Sequence, residues 1–97
     1  MWQKILQGGS GGGGKIVKDD YENSNISLSH SESRIIQVNG DKGTIIGVSY
    51  ITMVSIKLTI LSWEIDDSSN AIKVSIKNTS SGSTQSGTLK IGIVYSS

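Results

Sequence analysis

The side chains that could carry out catalysis are few in this sequence and form no catalytic pattern. His30 is the single histidine, and the chain has no cysteine, so a metal site or a catalytic pair would have to be built around one imidazole. Serine is abundant, but a nucleophilic serine needs a base and an orienting acid, and no G-x-S-x-G turn is present. We therefore expect His30 to be a surface or edge residue and the protein not to be an enzyme.

Two segments have the composition of ligand-binding loops without their spacing. Residues 66–70, Asp-Asp-Ser-Ser-Asn, offer oxygen atoms to Ca²⁺ but lack the spacing and the closing glutamate of an EF-hand loop, so they predict a turn. Residues 9–15 fit the G-x-x-x-x-G-K pattern of a phosphate-binding loop, but Ile16 stands where a Ser or Thr would bind Mg²⁺. We expect no metal ion and no cofactor.

Aromatic and hydrogen-bonding side chains give the candidate binding residues. Trp63, Tyr50 and Tyr95 could stack on sugar rings if they are exposed. The last loop adds three polar side chains as a candidate receptor loop: Asn78, Thr84 and Gln85. Trp63 and Tyr95 fall on the apolar faces of their segments, which favours core positions, but the sequence leaves open whether they are core or exposed.

The elements that position these side chains are predicted to be β-strands. Over residues 61–65, 72–77 and 89–95 apolar residues alternate with polar ones, and polar clusters separate the three segments. This alternation predicts three antiparallel strands, folded back on one another by two turns, each with one buried and one solvated face. We predict an all-β fold, a small antiparallel β-sandwich of jelly-roll or Ig-like type, over residues 15–97.

The segments before residue 44 predict further short elements. Residues 15–18 predict an edge strand, 19–23 a turn, and 26–30 and 33–38 two strands. The strongest turn signal lies at 39–43, where Asn-Gly can supply the positive φ angles of a tight hairpin between flanking strands.

The stretch 44–65 is too long for one strand, because fully extended it would reach roughly 70 Å. Both faces are apolar from Tyr50 to Met53, so we expect the chain to change sheets there. The buried face then changes parity between Ile60 and Leu61, which predicts a β-bulge. The expected strands cover residues 44–50, 53–61 and 62–66, and the alternative is that the last two form one bent strand.

The same alternation defines the expected core and a contact between copies. The core consists of the apolar residues at inward positions: Ile26, Leu28, Val48, Val54, Ile56, Leu58, Trp63, Ile72, Val74, Ile76, Leu89, Ile91 and Ile93. A core this small without disulfides gains stability from association. We expect a homo-oligomer, specifically a homotrimer, with Tyr50, Ile51 and Met53 at the contact.

Charge and hydropathy limit the other partners. Nine basic and eight acidic residues are scattered along the chain, which argues against nucleic acid or an anionic membrane as a partner. No apolar run reaches the roughly 18 residues that a bilayer-spanning helix needs. The apolar part of residues 1–7 is too short for a signal peptide, so we expect no export by the usual secretory route.

The first fourteen residues have a composition of their own. Trp2, Ile5 and Leu6 have the spacing of one helical face, in a segment too short to form a stable helix by itself. Residues 8–14 are glycine apart from Ser10, and such a tether has a mean reach of about 15 Å. We interpret residues 1–14 as an anchor peptide, docking through Trp2, Ile5 and Leu6, with its linker. A disordered tail or a laboratory linker is the alternative interpretation.

Three segments carry a resemblance to a known class of proteins: Ser-Trp-Glu-Ile at 62–65, Ile-Lys-Val-Ser-Ile-Lys-Asn-Thr-Ser at 72–80 and Gly-Thr-Leu-Lys-Ile-Gly-Ile-Val-Tyr at 87–95. With their Asn-Thr-Ser loop, Gly-Thr-Leu strand start and apolar-Tyr end, they resemble the terminal β-domains of bacteriophage tail-fibre and other virion surface proteins. The resemblance implies a β-sandwich packed as a homotrimer, displayed on a virion and contacting a host-surface glycan or protein. The absence of a fibrous shaft and of an aromatic cluster favours a structural or decorating role.

The resulting functional prediction is a non-enzymatic structural or surface protein of a phage virion, located in the virion. It would dock to a larger virion protein through its N-terminal peptide and contact a host-surface receptor. Two other classes stay open. One is a carbohydrate-binding or adhesive β-module, and the other is an engineered scaffold that carries a peptide tag and a linker.

Overall fold

The computed structural model describes residues 15 to 96, so the expectations for Trp2, Ile5, Leu6 and the glycine-rich linker lie outside the described residues. Six β-strands build this part of the chain: β1 (Ile16–Leu28), β2 (Ser33–Asn39), β3 (Thr44–Val54), β4 (Leu58–Asp66), β5 (Ala71–Asn78) and β6 (Gln85–Ser96). Over residues 15 to 96 no helix is long and apolar enough to cross a membrane.

The strands form two antiparallel sheets of three strands each. In sheet A, β6 lies between β1 and β3, and in sheet B, β5 lies between β2 and β4. Apolar side chains from both sheets form one buried cluster. The prediction of an all-β antiparallel sandwich is confirmed.

The strand pairing is nested along the chain. β1 pairs with β6, β2 pairs with β5, and β3 and β4 follow one another at the centre of the sequence. Successive strands alternate between the sheets except at the β4–β5 hairpin. A long hairpin rolled up on itself has this connectivity, which is that of a jelly roll, here with six strands in place of the usual eight.

The nested pairing gives the sandwich two distinct ends. Ile16 pairs with Ser96 at one end of sheet A, and Leu28 pairs with Gln85 at the other. We call the first the terminal end, and it also contains the connections 40–43 and 67–70. We call the second the distal end, and it contains the connections 29–32, 55–57 and 79–84.

Most of the predicted core is confirmed. The following predicted core residues are buried: Ile26, Leu28, Val48, Leu58, Ile72, Val74, Ile76, Leu89, Ile91 and Ile93. On β5 the alternation is clear, because Val74 is fully buried while its neighbour Lys73 faces outward. Val38 and Ile45 also belong to the cluster and were not predicted there, and Tyr95, for which the sequence favoured a core position, is buried in it.

Two predicted core residues are exposed instead. Val54 is 56 % exposed because it pairs with Thr88 on the outer row of sheet A, at the end of β3. Ile56 is 92 % exposed because it lies in the connection between the sheets. Trp63 is half-buried and packs against the core cluster from the edge strand β4.

The chain changes sheets at 55–57, which begins two residues after the predicted stretch from Tyr50 to Met53. β3 remains one strand because two register shifts, after Ile45 and after Val48, adjust its faces. The predicted bulge is confirmed in β4, where the register shifts between Ile60 and Ser62. The alternative of one bent strand is confirmed, because β4 runs through the bulge from Leu58 to Asp66, but residues 53 and 54 still belong to β3.

The predicted turn at 19–23 is wrong, because these residues continue β1. Asp19 pairs with Ile93 and Asn23 with Leu89, and the register shifts only between Asn23 and Ile26. β1 is an edge strand of sheet A, where charged side chains reach solvent and discourage pairing with other chains. At its far end the strand stops at Leu28, so His30 lies in a turn and not in the expected strand.

One of the predicted hairpin turns is wrong and another is confirmed. The hairpin at 39–43 is wrong, since β2 and β3 lie in different sheets, and the positive φ angle falls on Gly43 at 130°. The turn at 67–70 does make a hairpin between β4 and β5. The next strand, β6, crosses to sheet A, so the last third of the chain is not a single three-stranded fold-back.

Candidate functional site

Asn78 organises the distal end from a buried position. It is 1 % exposed, and Nδ2 donates hydrogen bonds of 2.9, 3.0 and 2.9 Å to the carbonyl oxygens of Leu28, Ser29 and Ser83. Its Oδ1 accepts a 2.8 Å bond from the backbone N–H of Ser80. Because the amide is used in these bonds, Asn78 belongs to the framework of the candidate receptor loop and does not present its side chain to solvent.

The rest of the last loop is attached to the neighbouring connection. The backbone N–H and the hydroxyl of Thr79 both donate to the carbonyl oxygen of Lys57, at 2.8 and 2.9 Å. Thr84 is exposed, and Gln85 is half-buried with its Nε2 donating a 2.8 Å bond to Ser83 Oγ. Thr84 and Gln85 are therefore the predicted receptor-loop residues whose side chains reach the surface.

Ile56 gives the distal end an apolar tip. At 92 % it is more exposed than any other large apolar side chain of residues 15 to 96. Its connection is short and ordered by a 3.3 Å hydrogen bond from the backbone N–H of Leu58 to Ser55 Oγ. Val54, 56 % exposed, precedes it. Exposed apolar side chains on a fixed connection are suited to contact with another molecule.

The terminal end is held by Asn70, a residue that the sequence marked only as part of a turn. Its φ angle is 52°, and Asn is one of the residues that adopt this region most readily. Oδ1 accepts a 2.8 Å bond from Ile45 N–H, and Nδ2 donates a 2.9 Å bond to Gly43 O. Its own carbonyl accepts a 2.8 Å bond from Gly40 N–H. Asn70 thus fixes the crossing from β2 to β3.

Tyr95 lies in the core and reaches the terminal end with its hydroxyl. It is 1 % exposed, and its Oη donates to Asp41 Oδ1 at 3.3 Å and accepts from Asp41 N–H at 3.4 Å. Burial raises the pKa of the Tyr95 hydroxyl, and the negative charge of Asp41 acts in the same direction. Tyr95 is therefore a neutral structural group and is not available for stacking on a sugar.

A groove of about 360 Å³ lies on sheet B. Its lining combines apolar, hydroxyl and charged side chains: Ile35, Ser62, Trp63, Glu64, Lys73 and Ser75. The strand register explains the grouping, since Ile35 and Ser62 both pair with Ser75 across the three strands. This site was not predicted, because the lining residues come from three strands whose neighbours the sequence does not reveal.

Lys73 and Asp66 form an ion pair beside the groove, with 2.8 Å between Nζ and Oδ2. The hydrogen bond from Lys73, with others from Ser68 and Ser69, lowers the pKa of the Asp66 carboxyl. The hydrogen bond to Asp66 raises the pKa of Lys73. Both side chains are therefore held in their charged forms, which makes Asp66 a poor general acid and Lys73 a poor nucleophile at neutral pH.

His30 lies in the β1–β2 connection and is exposed, as expected for a surface residue. Its Nε2 lies 3.3 Å from Ser31 Oγ, an exposed contact between neighbouring residues. The nearby carboxylate of Glu32 is engaged by Ser29 N–H and by Arg34, and these bonds lower its pKa. Within residues 15 to 96 no three His, Cys, Asp or Glu side chains are grouped to hold a metal ion.

The three residues expected at an oligomer contact lie on two faces of β3. Tyr50 pairs with Gly92 on the outer row, is 41 % exposed and donates a 2.9 Å hydrogen bond to Asp20. Ile51 and Met53 point the other way and pack against the core cluster. A single flat contact therefore could not use all three side chains, and Tyr50 is the accessible one.

Comparison of the chain with protein-family models, with curated proteins and with solved structures finds no match.

Proposed function

We propose that this protein is a non-enzymatic surface domain of a phage virion, attached through its N-terminal segment and contacting its target with the distal end. The observation that carries the proposal is the separation of the two ends. Ile16, which begins β1, pairs with Ser96 at the end of β6, so the segment that precedes β1 joins the sandwich at the terminal end. The most exposed apolar side chain, Ile56, projects from the opposite end, which is the end an attached domain would present outward.

The distal end has the properties of a contact surface. Ile56 and Val54 supply apolar area, and Thr84 and Gln85 supply hydrogen-bonding groups beside them. The connections that carry them are fixed by buried Asn78 and by the bonds from Thr79. A pre-ordered surface loses little conformational entropy on binding, which favours affinity.

Attachment to a virion is supported by the resemblance to tail-fibre domains and by the position of Ile16, which begins β1 at the terminal end. The anchor would be Trp2, Ile5 and Leu6, which precede β1 at the terminal end through the glycine-rich linker. Burying these side chains would contribute roughly 5 to 8 kcal/mol before the cost of ordering the peptide. Several copies would bind more tightly through avidity.

The attachment is tested by replacing Trp2 and Leu6 together with alanine. Virions should lose the double variant while the purified domain keeps the fold and stability of the unchanged protein. A matched control is Gln3→Ala with Gln7→Ala in the same segment, which should be retained. Virions that retain the Trp2/Leu6 variant at the unchanged level would refute the anchor.

The homotrimer belongs to the same proposal, and Tyr50 is its accessible contact residue. Light scattering at micromolar concentration should give a mass three times that of one chain. The same measurement on residues 15–97 separates assembly through the sandwich from assembly through residues 1–14. A monomeric mass for both proteins would exclude the trimer.

The contact at the distal end is tested with Ile56→Ser. Binding of the purified protein to cells of the bacterial host should fall by about tenfold or more, as expected for loss of one buried aliphatic anchor. The control is Ile16→Ser, which removes a 49 % exposed isoleucine at the terminal end and should leave cell binding unchanged. Equal binding by both variants would show that the distal end is not the contact.

A further inference from the structure

The groove on sheet B contains polar side chains that form no hydrogen bond within the described part of the protein. Among residues 15 to 96 the hydroxyls of Ser62 and Ser75 and the carboxylate of Glu64 form no hydrogen bond with another side chain or with the backbone. Lys73 is the exception, because its ammonium bonds to Asp66 at 2.8 Å. The groove therefore offers hydroxyls that both donate and accept, a carboxylate that accepts and an oriented ammonium that donates.

Apolar surface is present beside these groups. Ile35, on the edge strand β2, is 65 % exposed and pairs with Ser75, so its side chain lies on the outer face of sheet B beside the Ser75 hydroxyl. Trp63, on the other edge strand, borders the groove, but it pairs with buried Val74 and its side chain packs against the core. A ligand in the groove would thus meet the aliphatic side chain of Ile35 together with a row of hydrogen-bonding groups.

The charge of the lining favours a neutral ligand. Glu64 and Lys73 are cross-strand neighbours of opposite charge, and Asp66 balances Lys73 further. The carboxylate of Glu64 would repel a phosphate or a carboxylated ligand, and the ammonium of Lys73 would repel a cation. The volume of about 360 Å³ lies at the lower end of the range for small-ligand sites.

We propose that this groove is a binding site for a neutral saccharide of one or two rings. Sugar hydroxyls both donate and accept hydrogen bonds, which matches Ser62, Ser75 and Glu64, and the C–H face of a pyranose ring is apolar, which matches exposed Ile35. The groove lies on the face of sheet B, apart from the distal connections. Saccharide binding in the groove therefore does not depend on a receptor contact at the distal end.

The test is a titration of the isotopically labelled protein with glucose, galactose, mannose, N-acetylglucosamine, lactose and maltose, each up to high millimolar concentration, followed by NMR. At least one sugar should shift the signals of the groove residues and leave those of the distal connections unchanged. Glucuronate serves as the charged comparison and should bind more weakly than glucose.

The matched variants are two cross-strand serine pairs. Replacing Ser62 and Ser75 together with alanine should weaken binding about tenfold, which corresponds to about 1.4 kcal/mol. The control replaces Ser27 and Ser86, an exposed cross-strand pair on sheet A, and should bind as the unchanged protein does. The proposal is overturned if no sugar shifts the groove signals, if both pairs of substitutions weaken binding equally, or if glucuronate binds best.

Discussion

The ring of Tyr50 lies over Gly92 on the outer face of sheet A. A Cβ at Gly92 would stand 2.5 and 2.6 Å from the Cε1 and Cδ1 atoms of Tyr50 and would also meet Ser49 Oγ. The hydroxyl of Tyr50 continues across the sheet and donates a 2.9 Å hydrogen bond to Asp20. One side chain therefore links the two edge strands, β3 and β1, over the central strand β6.

This arrangement predicts that Gly92→Ala destabilises the protein. The added methyl group would displace the Tyr50 ring and break its bond to Asp20, at a cost of about 1 to 3 kcal/mol. The control is Gly82→Ala, because a Cβ there meets no atom within 4 Å, and its effect should stay within about 0.5 kcal/mol. Urea denaturation measures both, and equal stability of the two variants would contradict the placement of Tyr50.

The assignment of faces on β5 gives a second prediction. Val74 is 0 % exposed, so Val74→Asp should bury an unpaired charge and prevent folding. Lys77→Asp, at an exposed position of the same strand, should cost under about 0.5 kcal/mol. Lys73 is a less suitable control, because its substitution also removes the ion pair to Asp66. Circular dichroism shows whether each variant folds. A folded Val74→Asp variant would contradict the assignment of the buried face of β5.

The sequence predicts well those features of the fold that depend only on the alternation of apolar and polar residues. The inward rows of β5 and β6, and the bulge between Ile60 and Ser62, follow from the spacing of apolar residues because a strand has two faces. Exposure at strand ends does not follow in the same way. Ile56 is apolar and at a matching position, but it lies just past the end of β3, where no sheet covers it.

Long-range pairing is the part that local patterns could not supply. Asn-Gly at 39–40 has the residues of a tight hairpin, yet Asn39 pairs with Ala71 and Gly40 donates to Asn70, so the chain crosses to the other sheet. The groove on sheet B was missed for the same reason, since Ile35 and Ser62 become neighbours only through Ser75. The sequence pointed to Asn78, Thr84 and Gln85 in the last loop. It could not predict that Asn78 is buried, because the carbonyl groups that its amide binds belong to Leu28 and Ser29, about fifty residues earlier in the chain.

Asn78 gives the third prediction. Removal of its amide by Asn78→Ala would leave the buried carbonyl oxygen of Leu28 and the loop carbonyls without their donor, so we expect a loss of about 2 kcal/mol or more in unfolding free energy. Asn25→Ala, at an exposed position in the irregular part of β1, should change it by under about 0.5 kcal/mol. Hydrogen exchange should also become faster in the 79–84 loop of the Asn78 variant. A loss no larger than that of the control would mean that the distal connections do not depend on this amide.

The ion pair of Asp66 gives a prediction for acid. Hydrogen bonds from Lys73, Ser68 and Ser69 lower the folded-state pKa of Asp66 below its unfolded value of about 3.9. A lowered pKa stabilises the fold fully above the unfolded value, and this stabilisation is lost as the pH falls from about 4 through the folded-state pKa. The pair is partly exposed, so the effect is small and should decrease further in high salt.

Urea midpoints measured between pH 7 and pH 2.5 should therefore fall less in Asp66→Asn than in the unchanged protein. Part of the acid sensitivity should remain, because the pKa of Glu32 is also lowered, first by the bond from Ser29 N–H and then by Arg34. Adding Glu32→Gln should remove that part too. If Asp66→Asn follows the same pH profile as the unchanged protein, the contact between Asp66 and Lys73 is not formed in solution.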